Sequence, residues 1–133
     1  MNTLYSYKVV FAAMLFLQSC NFTDSTKQLG DGYFFRNEGD MIKDILSERP
    51  NGGEVPAKVI DFAYDQNFII AKQKPKLPQD ALYNNKHYYK KGPDAVYYWI
   101  VIKGVRSVLG PLDDDEYKEA RKKYNVPDKL ELE

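Results

Sequence analysis

Val59-Ile60-Asp61-Phe62-Ala63-Tyr64-Asp65-Gln66-Asn67-Phe68-Ile69-Ile70-Ala71-Lys72-Gln73 decides the fold. Ile60, Phe62 and Tyr64 alternate with Asp61, Ala63 and Asp65, the period of two that gives a strand one buried and one wetter face. Asp65-Gln66-Asn67 has turn chemistry, and Phe68-Ile69-Ile70-Ala71 runs back. The stretch is therefore a β-hairpin, ended by Pro75 and Pro78.

Outward from the hairpin, Tyr97-Tyr98-Trp99-Ile100-Val101-Ile102 is apolar on both faces, as in a central strand covered on each side. Lys103-Gly104 turns, Val105 to Leu109 returns, and Gly110-Pro111 is expected to stop it. Upstream, Gly32-Tyr33-Phe34-Phe35-Arg36 reads as a strand and Asn37-Glu38-Gly39-Asp40 as a turn. Met41 to Glu48 fits a helical face or a hairpin partner, with strand the favoured choice. Near the C-terminus, Asp113 is a good N-cap and Glu116 completes a capping box, with Leu112 set to pack on Tyr117. Acids in the first turn and Arg121, Lys122 and Lys123 in the last suit the helix dipole, and Pro127 bars continuation. The sum is an α+β domain: an antiparallel sheet of about five or six strands followed by one C-terminal amphipathic helix.

The chain has 133 residues, with 19 Lys plus Arg balanced by 19 Asp plus Glu, which argues against a nucleic-acid binder. Eleven Tyr, seven Phe and one Trp supply large surfaces for a core. At the N-terminus, Lys8 precedes the run Val9 to Leu17, shorter than the roughly 20 residues that span a bilayer. Such a run followed by small residues reads as an export signal. Leu17-Gln18-Ser19-Cys20 ends it with the one cysteine of the chain, and resembles the lipobox of bacterial lipoproteins, whose cysteine is acylated. The expected organisation is a signal peptide over 1–19, a lipid-anchored tether over 20–28 with lipidation at Cys20, and a single domain over 29–133. Two or more acyl chains, at about 0.8 kcal/mol per buried methylene, hold a protein firmly on a membrane. The expected location is the bacterial cell envelope.

Several segments in order resemble a domain-of-unknown-function family of small bacterial lipoproteins. They are Gly30-Asp31-Gly32-Tyr33-Phe34, Val55-Pro56-Ala57-Lys58-Val59-Ile60, Asn67 to Gln73, Tyr97-Tyr98-Trp99-Ile100-Val101 and Leu109-Gly110-Pro111-Leu112. The resemblance implies a lipid-anchored envelope protein and brings no catalytic residues with it.

The residues themselves assemble no catalytic constellation, so no enzyme, metal or cofactor is expected. His87 is the one histidine, and its loop context reads as a solvated side chain without the oriented carboxylate of a triad. Asp113 to Glu116 lacks the spacing and glycine of a calcium loop, and capping accounts for it. Gly52-Gly53 and Gly30-Asp31-Gly32 read as turns. The segment 74–95 is the place for a binding site. Lys72, Lys74, Lys76, Lys86, Lys90 and Lys91 face a single acid, Asp80, over residues 72–91. The candidate binding residues are Lys74, Lys76, Tyr83, Lys86, His87, Tyr88, Tyr89, Lys90 and Lys91, suited to an envelope protein or an anionic lipid or glycan surface. The bland alternative is a solvated loop whose tyrosines cover the sheet. Function is thus expected to be non-catalytic binding at the membrane, with an immunity or inhibitor lipoprotein as the alternative.

Overall fold

The computed structural model describes residues 25–133. The expected signal peptide over 1–19, the expected lipidation site Cys20 and the start of the expected tether lie outside the described residues. The elements are β1 (Ser25–Gly30), β2 (Tyr33–Asn37), β3 (Lys43–Ser47), β4 (Val59–Tyr64), β5 (Phe68–Gln73), β6 (Tyr97–Ile102), β7 (Ser107–Leu112) and α1 (Asp114–Lys123). They form two antiparallel sheets, sheet A in the order β1-β2-β3 and sheet B in the order β4-β5-β6-β7. The α+β class holds, but the strands divide between two sheets and number more than the single sheet of five or six predicted.

β6 is the spine of the molecule. Trp99 and Val101 join Leu29, Tyr33, Ile45, Val55 and Ile69 in a core between the sheets. Ile100 points the other way, into a second core with Ile70, Tyr117, Val126 and Leu130 beneath the helix. Alternating side chains of one strand therefore serve two cores, which is why this segment is apolar throughout. Fully burying an aliphatic side chain contributes about 1.5–3 kcal/mol, so Ile69, Ile70, Ile100 and Val101 make β5 and β6 the stable centre.

The predicted hairpin is present, with Asp65 Oδ1 accepting from the Asn67 and Phe68 amides to shape the turn. Its facing differs. β4 is an edge strand with a register shift between Val59 and Asp61, so Ile60 turns outward while Phe62 packs on Phe35. Residues 41–48 resolve in favour of strand. Residues 25–28, read as tether, pair with Phe34 to Asn37 as β1. The sequence Ser25-Thr26-Lys27-Gln28 is exposed on an edge strand, so it carries no apolar alternation to betray it.

β7 continues through Gly110 and Pro111 to Leu112, where a stop was expected. It is the edge of sheet B, where a proline's missing N–H faces no partner strand. Gly110 has φ +152°, and a Cβ there would lie 2.4 Å from the Trp99 ring, so the strand passes this close only as glycine. The helix start is as read: Asp113 accepts from the Glu116 amide at 2.8 Å, and the Glu116 side chain accepts from the Asp113 amide at 3.1 Å. No helix among the described residues is long and apolar enough to cross a membrane.

Candidate functional site

The strand registers give the molecule two poles. Ser25 lies opposite Asn37, and Asn37 opposite Lys43, so the start of β1 shares an end of sheet A with the turn 38–42. Lys58 beside β4 reaches Asp40 in that turn at 3.2 Å, joining the same end of sheet B to it. β5 finishes and β6 begins there too, since Gln73 pairs with Tyr97. The whole segment 74–96 between them therefore belongs to this near pole. The far pole holds the turns at 31–32, 65–67 and 103–106, drawn together by the Lys103 ammonium, which donates to the Leu29 and Asp65 carbonyls.

Segment 74–96 contains no strand or helix, yet side chains pin it from within. Gln73 is fully buried. Its Nε2 donates to the Pro56 carbonyl at 2.9 Å and to the Tyr89 hydroxyl at 3.0 Å, and its Oε1 accepts from Trp99 Nε1 at 2.6 Å. Tyr83 donates to Asp44 Oδ2 at 2.6 Å and accepts from the Ala57 amide at 3.1 Å. Asp44 is 0% exposed and also takes a two-point contact from Arg36 at 3.0 and 2.6 Å. Buried Glu54 accepts from the Asn84 and Asn85 amides. The Tyr97 hydroxyl accepts from the Lys91 amide at 2.8 Å and donates to the Gly92 carbonyl at 2.9 Å.

These contacts sort the predicted binding residues. Tyr83 and Tyr89 face inward, where burial raises both phenols above their ordinary pKa; for Tyr83 the bond to Asp44 adds to this. His87 is not a solvated loop histidine. Its ring stands edge-on to Trp99, centroids 5.0 Å apart, and its buried Nε2 has no hydrogen-bond partner among the described residues. Burial lowers its pKa, against a smaller upward pull from Glu54. Lys90 bridges Asp113 at 2.9 Å and Glu116 at 2.6 Å, and Lys91 approaches Asp113 at 3.9 Å, so both tie the segment to the cap of α1. The Glu116 amide, then Lys90, hold the Asp113 carboxyl down at about 2.

Lys74, Lys76, Lys86 and Tyr88 remain outward, and none of the three lysines makes a salt bridge among the described residues. Beside them stand Leu77 and Leu82, the latter 77% exposed, and Tyr88 is 84% exposed. Lys76 and Leu82 line a small cleft of about 60 Å³ with Met41 of the turn 38–42, and Glu38 and Asp80 also reach its wall. The surface thus sets exposed cations beside exposed apolar side chains. Among the described residues, no three His, Cys, Asp or Glu side chains converge as metal ligands would.

The pinning groups Asp44, Glu54, Gln73 and Trp99 escaped the sequence reading of the site. Asp44 between Ile42 and Leu46 was the available signal: a carboxylate sharing a strand face with two apolar residues needs a partner.

No curated protein and no solved structure matches the chain. A family model described as "Protein of unknown function (DUF3997)" matches residues 31–133, from the first hairpin turn through the helix and the C-terminal tail. The chain that carries this pinned segment between β5 and β6 therefore belongs to the DUF3997 family.

Proposed function

We propose that this protein is exported in bacteria, acylated at Cys20, and works at the cell envelope as a non-catalytic binding module. The contact surface is the outer side of segment 74–95. The observation that carries this reading is the contrast within that segment. Tyr83, Tyr89 and the Asn84 backbone amide spend hydrogen bonds inward on Asp44, Gln73 and Glu54, while Lys74, Lys76, Lys86 and Tyr88 stay outward. A long loop held rigid while exposing cations and an aromatic ring has little ordering entropy left to lose on binding. The acyl anchor rests on Leu17-Gln18-Ser19-Cys20 at the end of a short apolar run.

The test has two readouts. Mass spectrometry of the protein from cell membranes should find Cys20 acylated at the mature N-terminus. A photoreactive residue at position 88 should capture an envelope component in intact cells that the same residue at Val105, on the far pole, does not. A free thiol at Cys20, or equal capture from both positions, overturns the reading.

A further inference from the structure

We infer that the near pole docks on the phospholipid surface itself, with Met41, Leu77 and Leu82 seated among the headgroups and Lys74 and Lys76 on lipid phosphates. This rests on the acylation of Cys20 proposed above and names the partner of the same surface. The first support is the length of chain outside the described residues. The steps from Cys20 to Ser25 span at most about 18 Å when fully extended. An acyl group in the bilayer therefore keeps the start of β1 within that distance of the membrane.

The second support is what surrounds Ser25. Its register with Asn37 sets it at the end of sheet A that carries the turn 38–42. Met41 in that turn is about half exposed and shares a cleft with Lys76 and Leu82. Lys58 reaches the turn, and the Lys76 amide donates to the Ala57 carbonyl at 3.1 Å, so residues 57 and 58 link turn and segment. The pole nearest the anchor is thus the one that exposes leucines and methionine beside unpaired lysines. That mixture suits an interface, where apolar side chains enter the headgroup boundary and cations meet phosphate. Glu38 and Asp80 lie on the same cleft, so the surface is not strongly basic. The apolar side chains are therefore the main contact, and zwitterionic as well as anionic phospholipid should accept it.

The test uses the acylated full-length product extracted from membranes, with Cys20 blocked by its lipid so that one introduced cysteine is the only free thiol. Leu82→Cys and Met41→Cys are compared with Val105→Cys, which lies in the far-pole turn and is 74% exposed. Each is labelled with a polarity-sensitive fluorophore and reconstituted in phosphatidylethanolamine–phosphatidylglycerol vesicles containing a headgroup-depth quencher. Labels at 82 and 41 should be quenched several-fold more than the label at 105. Adding Leu77→Glu to the Met41→Cys protein should remove most of that quenching while the protein stays on the vesicles. Equal quenching of all three labels on an acylated protein overturns the docking and leaves the anchor standing. A labelled thiol at position 20 overturns the anchor and the docking with it.

Discussion

The two poles solve the same problem with different means. At the far pole three turns reverse the chain within two to four residues, and one buried ammonium, Lys103, gathers the carbonyls of Leu29 and Asp65. At the near pole the connection between β5 and β6 is long, and it is held by a distributed set of side chains centred on Asp44, Gln73 and Glu54. The far pole is closed by backbone economy. The near pole keeps a broad outer surface at the cost of burying polar groups, which the hydrogen bonds of Asp44, Gln73 and Glu54 largely satisfy.

The contrast can be broken most sharply at Asp44. Asp44→Ala strands Arg36 and Tyr83 together, and urea unfolding should show a loss of about 3 kcal/mol, the low end for a broken buried pair because Arg36 keeps some solvent. Lys103→Met at the far pole removes a charged donor from two carbonyls and should cost about 2 kcal/mol. Segment 74–96 should keep its protection from amide exchange in that variant. If the segment loosens as well, the poles are not independent. Gln73→Leu should also cost about 2 kcal/mol by orphaning Trp99 Nε1 and the Pro56 carbonyl, and here the exchange should rise in the segment first.

A smaller effect follows from His87. Burial lowers its pKa in the folded state, so the unfolded chain takes up the proton first. Stability should be full above the ordinary histidine value of about 6.5 and fall as pH drops towards the lowered folded value. Thermal unfolding of His87→Gln should lack that decline. Smallest of all, Tyr88→Ala should change stability by no more than about 0.5 kcal/mol, since the side chain faces solvent. A larger loss would mean that the outer surface helps to hold the fold.

What could be read in the amino acids tracks how local the cause was. The hairpin turn at Asp65, the capping box at Asp113 and Glu116, and the two-sided apolar strand Tyr97–Ile102 each follow from neighbours in sequence, and each is present. β1 was invisible because an edge strand facing water has no apolar period, and only Leu29 in it is buried. The split into two sheets leaves β3 and β4 unpaired with each other, while Val55 between them bridges back to Ile45, an arrangement no local pattern encodes. The same holds for the site. Lysine and tyrosine clustering singled out segment 74–95, but which of its tyrosines turn inward is decided by Asp44 and Gln73, far away in sequence. The burial of His87 follows from Trp99 on β6.

One further consequence comes from the edges of sheet B. β4 is kinked at Ile60 by its register shift, and β7 carries Pro111 and its own shift opposite β6. Neither rim offers a straight ladder of free amides and carbonyls for a neighbouring copy to zip onto. Sheet B is therefore poorly shaped to template a neighbouring copy, however crowded the copies become.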